Sequence, residues 1–461
     1  MIDMFIVAGY LVAILIVGLW GGRVQKGLKD YATAGREFGS LVIFATMSAS
    51  FIGGGFSTGN AEKVFIYGIA NIVALWGFSF KEILVAVYIA PKMDVFPSAV
   101  SVGDVMSAAY GKVARIITGV CGVMLCCGIV GAQVGAIGVV FNVFFGLDRY
   151  WGIVIGCGTV IIYTTLGGMR AVVYTDVVQF VILAIGMPLV LIFGVYHVGG
   201  LEALYNAVPA DRLTLPGPDF GWIGLIGLIL VFMFGETLVP PYMQRLLAGK
   251  TAKAAARGTL YSGLFSFLFF AITGAIGLVA LAMAPDLNPN NAMPYVIMMV
   301  LPPVLKGLVF SGVIAIVMSS ADSYLNSASI AFVNDIVLPL RSRAIKEETL
   351  LFIAKIVTLC VGLLSILFAV SIESILDILI YAYNYWAPIL LVPLVSAIYG
   401  LRKGTVPFLG GAVAGVLVTL LWQTVLDSPG EIPGLVIGVL VNLLVFCLVP
   451  KSSIWIKEQT E

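Results

Sequence analysis

Apolar runs of about twenty residues recur along the whole of this 461-residue chain, separated by short polar breaks. That length suits an α-helix crossing a hydrocarbon core about 30 Å thick. Spans are predicted near 3–22, 39–66, 68–91, 112–145, 149–168, 170–196, 219–246, 258–285, 304–337, 349–371, 373–400, 404–425 and 431–450. The pattern is that of an all-α polytopic membrane protein with about thirteen transmembrane helices. The first run opens Met1-Ile2-Asp3 without a basic stretch and continues into Gly21-Gly22-Arg23. It is expected to remain a span and not to leave as a signal peptide. The longest connections, 92–111 and 197–218, are too short for a second folded unit, so a single transmembrane domain over 1–461 is expected. The first of them is expected to lie along the cytoplasmic surface as a short amphipathic element.

Two spans are interrupted near their middles. Gly53-Gly54-Gly55 follows Ala49-Ser50-Phe51-Ile52 in the second, and Pro240-Pro241 follows Gly235-Glu236 in the seventh. Glycine and proline release carbonyls from the helical ladder, which a bilayer tolerates only where they line a cavity or bind something. Close helix packing is the alternative for such glycines. Paired interruptions in corresponding halves of a chain point to a transporter binding site.

Polar groups inside spans are the candidate chemistry. In Ser319-Ser320-Ala321-Asp322-Ser323, helical spacing puts Ser319, Asp322 and Ser323 on one face with Ser320 beside it. Hydroxyls and a carboxylate are hard oxygen donors, suited to sodium and not to a transition metal. A carboxylate at bilayer depth needs a partner or a wet cavity, which makes Asp176 a second candidate for ion coordination. Glu236, next to the Pro-Pro break, has three roles open to it: solute contact, pairing with Arg245, or proton acceptance. Lys81-Glu82 and Glu62-Lys63, near span ends, are expected to be solvated or paired. Asp335 and Asp377 are expected at interfaces or caps. Tyr381, Tyr383, Tyr385 and Trp386 form an aromatic belt, with Asn384 and Tyr385 as a possible gate over the cavity.

Composition narrows the class. With 61% hydrophobic and 11% charged residues and a mean hydropathy of +1.09, a soluble globule is excluded. The net charge of +1 says nothing about partners, and no nucleic-acid partner is expected. The six cysteines lie in apolar runs without metal-ligand spacing, and His197 is the one histidine, so no cofactor and no metal other than sodium is expected. Loop charge sets the orientation. Arg23, Lys26, Lys29, Arg36, Lys92, Lys112, Arg115, Arg170, Lys250, Lys253, Arg257, Arg341, Arg343, Lys346, Arg402 and Lys403 fall on one side, against Arg149 and Arg212 on the other. Positive charge stays inside, so the N-terminus is expected outside the plasma (inner) membrane and the 451–461 tail in the cytoplasm.

Four segments resemble the sodium:solute symporter family, which includes sodium/glucose, sodium/proline and choline transporters. They are Asp30-Tyr31-Ala32-Thr33-Ala34-Gly35-Arg36, the stretch Leu166-Gly167-Gly168-Met169-Arg170-Ala171-Val172 with Thr175-Asp176-Val177-Val178-Gln179, Gln244-Arg245, and Met318-Ser319-Ser320-Ala321-Asp322-Ser323. The resemblance implies a leucine-transporter-type fold, a five-plus-five inverted repeat over about 39–400, with broken core helices 1 and 6. It implies a sodium site formed by the carbonyls of Ala49, Ile52 and Ile316 and the hydroxyls of Ser319 and Ser320. A second site, used by some members, would fall on Asp176, Asp322 and Ser323, where Asp322 replaces a hydroxyl. Ala49–Phe56 and Tyr242-Met243-Gln244-Arg245 are closest to the choline-transporter branch. The cage tryptophans of that branch align with Phe51, Ile129 and Val239 here, which argues against choline.

The expected function is sodium-coupled import of a small polar organic solute, such as an amino acid, amine or polyol, by alternating access. Solute contacts are expected from Ser50, Phe51, Gly53, Gln133, Glu236, Asn384 and Tyr385. The expected partners are that solute, sodium ions and the lipid bilayer. Proton coupling through Asp322, Asp176 or Glu236 is the alternative on the same scaffold. A sensor or channel is disfavoured by the short tail and the broken helices, and an enzyme by the lack of a nucleophile–base constellation.

Overall fold

The computed structural model of the chain describes residues 2–23, 25, 27–341, 345–371, 384–401 and 403–451. Tyr381, Tyr383, Asp377, Arg343, Arg402 and the 452–461 tail lie outside them, as does the first part of the predicted 373–400 span. Among the described residues the chain is helical throughout, with one isolated bridge between Phe38 and Gly249. Eight helices among the described residues are long and apolar enough to cross a membrane, or nine when one bent pair counts as a single span.

The helices that position the site are α1 (Ile2–Gly21), α2 (Leu28–Thr33), α3 (Ser40–Phe51), α4 (Gly54–Tyr67), α5 (Ala70–Leu84), α6 (Val102–Phe145) and α7 (Arg149–Val198). They continue with α8 (Leu201–Ala207), α9 (Trp222–Phe234), α10 (Pro240–Ala248), α11 (Ala252–Met283), α12 (Ala292–Val300) and α13 (Leu305–Ile330). After them come α14 (Glu347–Ser371), α15 (Asn384–Ile398), α16 (Thr405–Thr424) and α17 (Gly434–Leu448).

Both interruptions are real breaks. The axes of α3 and α4 meet at 54° across Ile52 and Gly53. The other break separates α9 from α10, where Leu238 has φ +55° and Pro240 opens α10 at the first helical position. Proline suits that position because its missing N–H has no helical acceptor there. The predicted spans 149–168 and 170–196 form one 50-residue run, α7. A straight helix of that length would reach about 75 Å, and the chain instead turns at Gly168 (φ +57°, ψ −155°). A side chain there would also strike the Tyr31 ring, since a Cβ would lie 2.5 Å from it. The 92–111 connection becomes a 3₁₀ turn followed by the first residues of α6, which reorients at Gly111.

Position in the bundle follows composition. On α1 the side chains of Phe5, Val12, Ile16 and Trp20 are exposed, as expected of a helix facing lipid. α13 is the opposite: every residue from Val309 to Ile330 is buried. It packs against α7, α6, α3 and α10. Its serines and Asp322 therefore meet other helices and not the bilayer.

Candidate functional site

Asp176 on α7 is fully buried, and three other helices bring hydrogen bonds to it. From α3, Ser50 donates to its Oδ2 at 2.9 Å, and Thr46 also donates to that oxygen. From α13, Ser319 donates to Oδ1. From α10, the Arg245 guanidinium forms an ion pair with Oδ2 at 2.9 Å. Arg245 is itself fully buried. Its Nε donates to Thr46 (2.9 Å) and one terminal nitrogen to the Pro241 carbonyl (3.1 Å). The other terminal nitrogen also donates to Ser50 and Ser323. A guanidinium holds several donors in one rigid fork, so a single side chain joins α3, α7, α10 and α13. Sequence spacing leaves Arg245 without a site role, because its partners are distant along the chain. The signal available was an arginine inside a span, beside a helix break.

The residues assigned to the sodium site lie at the α3 end and on α13, which meet where Ser50 contacts Ser319 and Ser320. The last carbonyls of a helix lack partners within the ladder, and here they belong to the buried segment that includes Ala49 and Ile52. Across from it, Ser320 donates to the Ser50 carbonyl at 2.8 Å and approaches the Ile316 carbonyl at 3.3 Å. The helices touch closely because residue 53 is glycine. A Cβ there would lie 2.6 Å from the Ser320 hydroxyl and 3.0 Å from Gln133. Ser319 faces Asp176 one position earlier on α13. The result is a set of neutral oxygens with one carboxylate alongside, the donor chemistry of a hard cation.

Asp322 occupies an adjoining network. It accepts from the Tyr163 hydroxyl at 2.5 Å, from Ser323 at 3.0 Å and from Thr175 at 3.4 Å. Ser323 connects the two networks, because its hydroxyl also lies 2.9 Å from Ser50. Asp176, Asp322 and Ser323 are thus close together, with the Arg245 guanidinium among them. Among the described residues no group of three or more His, Cys, Asp or Glu side chains could hold a metal ion.

A cavity of about 10 Å³ lies directly behind the α3–α4 break. Ser50, Phe51, Gly53, Gln133 and Glu236 line it together with Ser320 and Tyr324. The volume holds about one water molecule, so a solute enters only after the helices part. Gln133 caps α4, accepting from the Gly54 N–H at 3.2 Å, and Tyr324 donates to Glu236. Asn384 and Tyr385 are not part of the lining. Asn384 donates to Gln423 on α16 at 2.8 Å, and Tyr385 is 38% exposed. From the same helix, Trp386 does reach the broken segment, donating to the Thr237 carbonyl at 3.1 Å.

Lys81 and Glu82 are paired, 2.9 Å apart, and buried at 2% and 0% exposure. Asp335 is buried against the first residue before α6, accepting from Ser101 (2.6 Å) and Asn334 (2.9 Å), with Arg115 at 3.6 Å.

Comparison with known proteins agrees with this architecture. A profile of the sodium:solute symporter family matches residues 31–418. A high-affinity choline transporter 1 of Caenorhabditis elegans is 27% identical over 459 residues, covering 89% of this chain and 76% of its own. The sodium/glucose cotransporter 4 of Mus musculus is 26% identical over 495 residues, covering 96% and 68%. These relatives are transporters and not enzymes. Among solved structures, a sodium-coupled sialic acid symporter in a substrate-bound, outward-open state superposes with a TM-score of 0.87 at 20% identity, covering 98% of this chain and 99% of that one. Mhp1, a nucleobase-cation-symport-1 family transporter in a closed conformation, gives 0.59 at 14% identity, covering 95% and 96%. The shared fold is of the leucine-transporter type, with α3–α4 and α9–α10 as its two broken core helices.

Proposed function

Because the chain belongs to the sodium:solute symporter family, we propose that it is a sodium-driven importer of a small polar organic solute, working by alternating access. The whole of 1–461 forms one transmembrane domain, with the N-terminus outside and the 451–461 tail in the cytoplasm. One sodium ion is held by the carbonyls of Ala49, Ile52 and Ile316 and the hydroxyls of Ser319 and Ser320. The observation that carries this proposal is the meeting of the α3 end with Ser319 and Ser320 on the buried Val309–Ile330 stretch of α13. Sodium there would join α3 to α13 and favour the conformation that accepts solute. Its loss to a low-sodium cytoplasm would loosen that joint. The driving force is about 2.3 kcal/mol per charge per 100 mV plus about 1.4 kcal/mol for a tenfold gradient. One ion therefore sustains accumulation of several hundred-fold.

The solute binds behind the α3–α4 break, between Gln133 and Glu236. The buried Glu236 carboxylate favours an amine-bearing or zwitterionic solute over a simple carboxylate, because a buried like-charge pair is costly. Asp176 is already served by the Arg245 guanidinium, so it shapes the sodium site from beside it. One observation favours a second coupled cation. Asp322 receives only neutral hydroxyl donors, so two carboxylates share one guanidinium, and the remaining charge calls for a proton or a second sodium ion.

The test is a thermal-shift screen of purified protein against amino acids, amines, polyols, sugars and carboxylates, each in sodium and in potassium. A solute that stabilises only in sodium supports the proposal. A solute that stabilises equally in both salts, with uptake driven by a pH gradient alone, replaces it with proton coupling.

A further inference from the structure

A second ion pair lies buried close to the same Phe51 ring that Arg245 approaches. Lys81 and Glu82, both on α5, have their charged atoms 2.9 Å apart. The Lys81 ammonium sits 3.6 Å from the ring centre of Phe78, 4.7 Å from that of Tyr242 and 5.8 Å from that of Phe51. The Glu82 carboxylate is its charged partner, and three ring faces lie within 5.8 Å of it. The rings come from three helices: Phe78 from α5, Phe51 from the end of α3, and Tyr242 from the start of α10. Two of these are halves of the broken helices. Phe51 also forms a wall of the solute cavity, and the Arg245 guanidinium carbon lies 5.6 Å from its ring centre. Two fixed cations thus share one ring.

Three aromatic faces and a carboxylate make a complete receptor for an alkylammonium ion. A bare ammonium would not be held in apolar surroundings without such a set. A groove of about 320 Å³ reaches Lys81 from the protein surface, between Leu84 and Tyr88, the Thr237–Leu238 segment of the second break, and Leu391 on α15.

We propose that Phe51, Phe78, Tyr242 and Glu82 form an alkylammonium site that the chain keeps filled with its own Lys81. The tethered ammonium is a positioning element. It holds the moving ends of α3 and α10 against α5, and it keeps small cations out of the space next to the solute cavity. The inference stands apart from the identity of the solute and from sodium coupling, and its unfolding test is run without either; only the uptake measurement rests on the proposed function.

The experiment uses purified full-length Lys81→Ala and ethylammonium chloride as the probe, in sodium-free potassium buffer. Lys81→Ala should unfold at a lower temperature than the native protein and recover saturably as ethylammonium is added. Potassium chloride at equal ionic strength should give no recovery, and tetraethylammonium, too wide for the vacated space, should give none either. The native protein should not respond to ethylammonium, and Lys81→Ala/Glu82→Ala should lose the response. In proteoliposomes, uptake by Lys81→Ala should fall roughly tenfold or more and be partly restored by the same amine. Equal responses from the native protein and Lys81→Ala, or no response from folded Lys81→Ala, would overturn the proposal. Should Lys81→Ala not survive purification, Lys81→Met keeps the stem and removes the charge. Native stability and uptake in Lys81→Met would equally refute a role for the ammonium.

Discussion

Two buried ion pairs lie near Phe51, and they are built in opposite ways. Arg245 and Asp176 are embedded in hydroxyls and carbonyls from three helices, α3, α10 and α13. Lys81 and Glu82 are embedded in aromatic rings, with the ammonium solvated by their faces. The first arrangement places polar atoms where a hard cation can use them. The second surrounds its charge with surfaces that sodium binds weakly and an ammonium binds well. The contrast shows how a protein of low charge content keeps two kinds of cation chemistry apart around one ring.

The largest effect should come from removing Arg245. Arg245→Ala strands Asp176 in a fully buried position, which costs about 3–5 kcal/mol. Thermal unfolding should show a large drop, and uptake should be abolished. Arg245→Ala/Asp176→Asn removes both charges and should recover much of the stability without recovering uptake. If the double variant were no more stable than the single one, the pair would not be the unit described here.

The equivalent cycle at Lys81 and Glu82 sharpens the comparison. Lys81→Met/Glu82→Gln should unfold within about 1–2 kcal/mol of the native protein, because two neutral groups suit a ring-lined space. A double variant as damaged as Arg245→Ala would erase the distinction between the pairs.

Glu236 is a third buried carboxylate, and Tyr324 donates to it. Glu236→Gln keeps the shape and removes the charge. It should weaken apparent affinity for an amine-bearing solute by roughly tenfold, with sodium activation unchanged. Unchanged solute affinity would take Glu236 out of the binding site. The smallest effect is expected from Asn384→Ala, which loses one hydrogen bond to Gln423, worth about 1 kcal/mol. Its transport kinetics should match the native protein, and a large rise in KM would put Asn384 at a gate after all.

Much of this architecture was legible in the chain because a bilayer forces it to be. Spans must be apolar, and breaks must carry glycine or proline, so Gly53-Gly54-Gly55 and Pro240-Pro241 mark the two interruptions unaided. Ser50, Phe51, Gly53, Gln133 and Glu236 were nominated from residue type and resemblance, and they share one cavity. What spacing could not give was pairing between helices. Arg245 and Asp176 are 69 positions apart, and no periodicity links them. Lys81 and Glu82 looked like residues at a span end. The helix does not end at them: α5 runs on through a π-helical turn to Ile89, and both side chains are buried within the bundle. Tyr385 and Asn384 suggested a gate by type, yet on α15 the residue that touches the broken segment is their neighbour Trp386.

The central claim is a sodium ion held between the end of α3 and Ser319 and Ser320. Its most direct test is the unfolding temperature of the purified protein as sodium replaces potassium at constant ionic strength. A ligand that binds only the folded state stabilises it by RT ln(1 + [L]/Kd), about 2.7 kcal/mol at a hundredfold excess over Kd. The native protein should therefore show a saturable rise with sodium, and Ser319→Ala/Ser320→Ala should show none while remaining folded. A double variant with the native sodium response, or a native protein that responds equally to potassium, would contradict the account.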